Sequence, residues 1–396
     1  MSIPALDAPA DVPAEAESPR RAAVVALRLA ERADACLALR RLPDETVADF
    51  LASGLHRLAQ PVRFGGWGLG VDAQVAAAIE LAKGDGSQSW ALVGYGVAAR
   101  QLASFDAGAA QEVWGDNSEA LVCAALTGRG RIAAKGRGFV ASGTWSCAAG
   151  IDQAQWLIAA ARLEGDEPRW AHFLVPKTAA VAVLDDWQVA GLVGAGAKSF
   201  TLEEVQIPVH RVLEDKPADE APRPQSSGTG VRESPQAIDR FSGVGASLPL
   251  AAVPLGIAAA MLEEFVSFVG NPAKRGVRAH TNFATALRIA ESRAEIDAAM
   301  FAVLAAARET RQIEQRGEQP SMERCALNIL AAAYGALAAS RAAARMFAGA
   351  GAKVILLSNR MQRYLLDISA IGTLEPFAWD SRASAYGRLR LGDKIG

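Results

Sequence analysis

Between Pro19 and about Asn117 apolar residues recur at three- and four-residue steps: Val24, Ala26, Leu27, Leu29 and Ala30 open one run, and Val47, Phe50, Leu51 and Leu55 another. That spacing lays one apolar stripe along a helix, so the first third of the chain is predicted to be mostly helical. Gln60 to Leu69 interrupts it, because Pro61 with Gly65, Gly66 and Gly68 demands a turn-rich loop. From about Ala120 to Val212 the texture changes to short β-type runs parted by turn residues, at Gly138 to Ser142, Trp156 to Ala161, Trp170 to Val175, Val181 to Leu184 and Ser199 to Ile207. Their spacing suits a small barrel or sandwich. Residues 214–245 hold too much Pro, Gly, Ser and charge to pack, and are expected to form a long, partly disordered loop. From Leu250 to Leu366 the helical period returns in Ala-rich runs, notably Ala284 to Ala307 and Cys325 to Phe347. Small side chains on several faces suit an antiparallel bundle that also makes subunit contacts. The expected domains are therefore helical (1–117), β (118–213), a polar loop (214–245) and a helical bundle (246–396).

Composition narrows the class of function. Lys and Arg number 41 against 43 Asp and Glu, a net charge of -2, so an electrostatic nucleic-acid binder is excluded. Apolar residues make up 51% and charged residues 21%, enough for a large core and too little charge for disorder. The Ala-rich runs are broken by Arg, Glu and Asp before reaching the ~20 apolar residues a bilayer needs, so no membrane association is expected. The N-terminal segment carries acids and prolines before any apolar run, unlike a secretion signal, and a cytoplasmic location is expected. Cys36, Cys123, Cys147 and Cys325 are scattered, and no two of His56, His172, His210 and His280 share a helix face at i, i+4. Neither a disulfide framework nor a metal site is expected.

Four blocks carry a family resemblance. Pro61 to Leu69 resembles the Pro-x-x-Tyr/Phe-Gly-Gly-x-Gly loop of the acyl-CoA dehydrogenase superfamily. Ser142 to Gly150, followed by Ala154 to Leu157, is similar to its Gly-x-Trp strand beside the flavin. Trp187 to Ser199, with Gly191 and Gly194, and Leu202 to Pro208 resemble the elements that close its β domain. Gly349, Gly351, Asn359, Gln362, Arg363 and Asp367 resemble the bundle segment that reaches the cofactor. The resemblance covers nearly the whole chain. It implies an α+β fold with an N-terminal helical domain, a middle β-barrel domain and a C-terminal four-helix bundle.

Within that superfamily, Trp145 with Ser146, Asn359 to Arg363, and Phe377 to Asp380 with Tyr386 and Gly387 look closer to the flavin-dependent monooxygenases than to the dehydrogenases. The resemblance then implies reduced FMN or FAD, supplied by a separate NAD(P)H flavin reductase. It also implies oxygenation of a small aromatic or heteroatom substrate through a C4a-hydroperoxyflavin. The chain has no Gly-x-Gly-x-x-Gly dinucleotide fingerprint of its own. A dehydrogenase needs a carboxylate base, commonly a Glu before Gly-Thr, and Ile371 stands before Gly372 and Thr373. Glu375, ahead of Pro376, is either such a base or a surface carboxylate in a turn.

The chain departs from that branch at three positions, with Ala98, Ala149 and Ser369 where members carry His, Ser and His. An alanine neither donates a proton nor orients a phenol. The departures imply a less polar pocket, suited to an indole, a sulfur heterocycle or an amine oxidised at nitrogen. The resemblance places Trp145, Ser146, Ala149, Trp187, Lys198, His280, Gly349, Gly351, Asn359 and Gln362 at the cofactor, and Trp90, Ala98, Ser369 and Phe377 at the substrate pocket.

Each candidate has an ordinary alternative. Ser146 would bond the flavin edge or satisfy the strand ladder; Trp145 and Trp187 would wall the flavin or pack a core. Ser369 would donate to the oxygenating species or sit on a helix surface. Gly349 and Gly351 would let backbone approach the cofactor or end a helix. Lys198 and His280 would meet phosphate or remain ordinary surface groups. A homotetramer is expected. The rival functions are an FAD-dependent acyl-CoA dehydrogenase-like oxidoreductase and a non-catalytic flavin-fold subunit.

Overall fold

The computed structural model describes residues 17–125, 127–164, 169–214, 242–270 and 283–392. The predicted polar loop falls almost entirely outside the described residues, and so does His280. The first third forms α1 (Glu17–Glu31), α2 (Ala33–Leu39), α3 (Asp44–Ala52), α4 (Val71–Ala82), α5 (Gly86–Leu102) and α6 (Ala107–Trp114). The predicted Gly-rich loop lies between α3 and α4, where Phe64 and Trp67 are buried.

The middle third is one mixed sheet of eight strands: β1 (Val122–Ala125), β2 (Thr127–Lys135), β3 (Gly138–Ala148), β4 (Trp156–Leu163), β5 (Arg169–Pro176), β6 (Ala182–Leu184), β7 (Lys198–Pro208) and β8 (Val212–Glu214). Its hydrogen-bonded path runs β6-β7-β3-β2-β4-β5-β8, with β1 parallel to β4. Trp145 on β3 explains why this sheet curls. Its indole stacks on Phe200 of β7 at 5.6 Å and meets the edge of Phe173 at 5.4 Å, although β5 lies three strands away along the path. Only a curled sheet brings those rings together. Gly130 on β2 makes room for it, since a Cβ there would stand 1.9 Å from Trp145 Cζ2.

The last third is α7 (Ser242–Gly270), α8 (Phe283–Arg316), α9 (Met322–Ala350), α10 (Arg360–Gly372) and α11 (Trp379–Arg390). The polar residues that open them act as caps: Ser321 accepts the Arg324 N–H at 3.2 Å and Asn359 the Met361 N–H at 3.0 Å. Residues 246–270 and 322–350 are long and apolar enough by composition to span a membrane, which corrects the expectation that no segment comes close. In this fold 67% and 50% of their most apolar windows are buried within the chain. The alanines at Ala332, Ala336, Ala339 and Ala343 are buried, so α9 packs closely on α7 and α8.

Candidate active site

The N-terminal helices, the sheet and the C-terminal helices meet around α5. The Tyr95 hydroxyl donates to Gly150 O at 2.6 Å, and the Gly150 N–H donates to Ala195 O at 2.9 Å. These two bonds tie the turn after β3 and the 185–197 loop to the helix. At the start of α5, Asp85 caps the helix by accepting the Gln88 N–H at 2.9 Å. Asp367 on α10 is 2% exposed; it accepts the Leu192 N–H at 2.6 Å and the Ser87 hydroxyl at 3.5 Å. Arg363, one turn earlier on α10, lies 4.0 Å from Asp85 and 2.6 Å from Asp34 of α2.

Burial pushes the Asp367 carboxyl up to about 7, and the neighbouring Asp85 adds to the rise, while the Leu192 N–H and Arg363 oppose it. Burial likewise raises Asp85. A carboxyl raised above its ordinary 3.8 binds a proton in the folded state that the unfolded chain has already lost. Asp367 therefore costs stability above pH 7, and the cost is relieved as pH falls through 7 toward 4. Asp367→Asn is expected to stabilise the chain by on the order of 1 kcal/mol or more at pH 8 and much less at pH 5. Urea unfolding at the two values measures this.

α5 is buried along most of its length, with Trp90, Gly94, Arg100 and Gln101 half-buried. Trp90 is half-buried and meets buried Phe377 edge-on at 6.5 Å. One turn further, a Cβ at Gly94 would meet nothing within 4 Å. Thr144 and Ser146 near the end of β3, Ala149 just after it and Trp187 on the 185–197 loop are half-buried. Open space beside two aromatic rings fits a planar heteroaromatic cofactor or a small flat substrate. A separate open groove of about 440 Å³ is lined by Asp44, Asp152, Gln153, Lys177 and neighbours, and by none of these residues. Its lysine is engaged with the carbonyls of Ile151 and Asp152 at 3.1 and 2.7 Å.

Several expected site residues prove to have structural duties. Trp145 is fully buried and its indole donates to Ala160 O at 2.7 Å, so it packs the β core. The Lys198 ammonium pairs with Asp152 at 3.1 Å and Asp185 at 3.5 Å, which commits its charge to carboxylates. The Ser369 hydroxyl is exposed and donates to Leu365 O at 2.6 Å, the bond of a helix-surface serine. It stands about 200° round α10 from Asp367. Ala98 is fully buried in a cluster with Phe64, Leu102, Phe105 and Trp114.

Gly349 lies within α9, where a Cβ would meet Arg288 Cδ at 2.8 Å, and Gly351 at φ 85° ends that helix. Asn359 caps α10, and the Gln362 amide, turned so that its nitrogen faces them, would donate to Ile355 O and Leu356 O at 3.0 and 3.1 Å. The Ser146 carbonyl accepts the Thr127 hydroxyl at 3.4 Å, and the Ala149 N–H donates to Cys147 O at 3.1 Å. Trp187 donates its indole N–H to Leu192 O at 3.0 Å. Of the expected pocket residues, the structure brings Trp90 and Phe377 together.

Gly94, Asp85 and Leu192 were not singled out from the sequence. The signal for the carboxylate cluster was present, since Asp367 shares the buried stripe of α10 with Tyr364, Ile368 and Ile371, a place where a lone acid is anomalous.

Residues 248–377 match the acyl-CoA dehydrogenase C-terminal domain. The oxygenase component of the FADH(2)-dependent resorcinol hydroxylase of Rhizobium sp. (strain MTP-10005) is 30% identical over 369 residues, which cover 89% of this chain and 88% of the relative. The flavin-dependent monooxygenase oxygenase subunit HsaA of Rhodococcus jostii (strain RHA1) is 27% identical over 349 residues, covering 86% and 90%. The crystal structure of the 3-HSA hydroxylase from Rhodococcus sp. RHA1 superposes with a TM-score of 0.86 at 22% identity, over 96% of this chain and 98% of that one. The chain belongs to the oxygenase components of two-component flavin-dependent monooxygenases, built on the acyl-CoA dehydrogenase fold.

Proposed function

We propose that the site beside Gly94 on α5 binds reduced flavin delivered by a separate NAD(P)H flavin reductase, and oxygenates a small electron-rich aromatic substrate such as an indole. The observation that carries this is the open space at Gly94 beside the Trp90–Phe377 pair. Reduced flavin supplies the activation of dioxygen for transfer of one oxygen atom. The chain supplies a flat apolar recess for the substrate, the half-buried Thr144, Ser146 and Ala149 for the ring system, and shelter from water. Reduced FAD is the first choice and reduced FMN the second, since the resorcinol hydroxylase relative is FADH(2)-dependent.

An indole-like substrate suits a recess without a proton-handling imidazole. Ala98 stands on α5 where phenol-handling members of the family carry one, and it is sealed in an apolar cluster. An acyl-thioester dehydrogenase is disfavoured because Ile371, at the position of the usual base, is fully buried and apolar, and Glu375 pairs with Arg382. Phe283 and Phe301 on α8 are 80% and 71% exposed, and Leu357 is 86% exposed. Apolar surface of that kind supports assembly as a homotetramer.

Anaerobic titration with reduced FAD and reduced FMN, followed by mixing with oxygenated buffer, tests the reading. Binding of reduced flavin, and an absorbance transient that precedes oxidised flavin, are expected. Tight binding of oxidised FAD with bleaching by an acyl thioester would replace the proposal with the dehydrogenase, and no flavin binding would leave a non-catalytic subunit.

A further inference from the structure

We infer that Asp367 is a positioning residue for the Trp187 side of the flavin cleft, acting through the backbone of Leu192, and that its ionisation tightens this hold. The inference rests on the cleft being a reduced-flavin site. The chain of contacts is short. Asp367 Oδ1 accepts the Leu192 N–H at 2.6 Å, and the Leu192 carbonyl accepts the Trp187 indole N–H at 3.0 Å. Leu192 stands at φ 57°, a left-handed conformation that a leucine keeps only where its surroundings hold it.

Its neighbour Gly191 packs so closely on α10 that a Cβ would lie 2.2 Å from Leu366 O. Three residues beyond Leu192, Ala195 O receives the Gly150 N–H from the turn after β3. One carboxylate on α10 thus pins the residue that aligns both the indole and the loop with the β3 end.

For stability alone an acid is a poor choice here. It is fully buried beside a second acid, and an asparagine would make the same bond to Leu192 without the repulsion. The groups that face it are Asp85 and the Ser87 hydroxyl from α5, Arg363 from its own helix and the Leu192 N–H from the loop. Behind these, α2 contributes Asp34, paired with Arg363, and the buried Cys36 thiol; Arg360 acts on both Asp34 and Asp85. From α7, Ile257 lies against Gly86, and Glu264 acts on Tyr364, which shares the buried stripe of α10 with Asp367. An N–H bonded to a carboxylate is held about twice as strongly as one bonded to a neutral acceptor. Rising pH therefore tightens the loop locally while lowering global stability, and the opposite signs separate positioning from a merely structural role.

Hydrogen exchange of residues 187–197 in the full-length wild type, Asp367→Asn and Asp367→Ala, at pH 6 and pH 8 and corrected for intrinsic rates, reads the hold without flavin. The wild type is expected to be about five-fold better protected at pH 8 than at pH 6, Asp367→Asn to show no such change, and Asp367→Ala to lose protection at both. Anaerobic titration with reduced FAD is expected to show a wild-type advantage over Asp367→Asn that grows from pH 6 to pH 8; titration of the flavin itself cancels in that difference. Asp367→Asn exchanging with the wild-type pH dependence would overturn the inference, as would an Asp367→Ala loop as protected as the wild type. If Asp367→Ala does not fold, the Asp367→Asn profile decides alone. Failure of every variant to bind flavin, with the exchange pattern as expected, would overturn the cleft reading and leave the Asp367–Leu192 hold standing.

Discussion

Replacing Gly94 by leucine is expected to lower kcat/KM for an aromatic substrate by roughly a hundred-fold or more, while reduced-flavin affinity changes by less than about three-fold. Gly94 lies in the middle of α5, where a glycine is less favourable than alanine by about 1 kcal/mol, so helix stability does not explain it. A Cβ there meets no atom within 4 Å, and Trp90 stands one turn away against Phe377. A leucine would fill that space from the helix side and displace a flat ring from its reacting position. Displacement by about 1 Å is enough for a loss of this size.

Gly94→Ala is the companion variant. It should stabilise the protein by up to about 1 kcal/mol, because nothing opposes the added methyl, and should reduce turnover of bulky substrates more than of small ones. Steady-state kinetics across a size series, beside thermal unfolding, checks both. Unchanged kinetics in Gly94→Leu would remove the space beside Trp90 from the substrate site.

The parts of this fold that were legible in the sequence are those where one period dominates. Residues 284–307 and 325–347 lie inside α8 and α9, and five β-type runs fall on β3 to β7. β2 went unseen for a physical reason. Gly128 and Gly130 stand in it because the Trp145 side chain and the β3 backbone occupy the space of their side chains, and Arg129 and Arg131 are exposed, so no alternation of apolar residues marks the strand. β1 spans only four residues and pairs in parallel with β4, a partner distant in sequence.

The site was legible to a smaller degree. Trp90 and Phe377 are 287 positions apart in the chain, and their contact depends on how the short 3-10 turn Glu375–Phe377 packs beside α7 and α9. The family resemblance of Trp145, Lys198 and Ser369 lies in their neighbours in sequence, whereas their bonding partners, Ala160, Asp152 and Leu365, are distant in the fold or a helical turn away and carry no motif. An absence is harder still to read: the space beside Gly94 is one that no residue type announces.

Trp145→Ala is expected to destabilise the protein by about 3–5 kcal/mol, measured by urea unfolding followed through far-ultraviolet circular dichroism. The loss combines several terms that act on one ring. The indole is fully buried between Phe200 and Phe173, and its N–H is bonded to Ala160 O. Gly130 cannot fill the vacated space, since it has no side chain to move into it. Trp145→Phe keeps most of the apolar contact and removes the N–H, so it should cost only about 1–2 kcal/mol. That milder variant decides what the tryptophan is for. If the ring serves only the β core, Trp145→Phe binds reduced flavin as the wild type does, because Thr144 and Ser146, proposed to meet the cofactor, alternate with Trp145 along β3 and so lie on its other face. A ten-fold weaker flavin in a variant this stable would mean that the indole reaches the cofactor after all, and that the curl of the sheet is arranged around the cleft as much as around its own core.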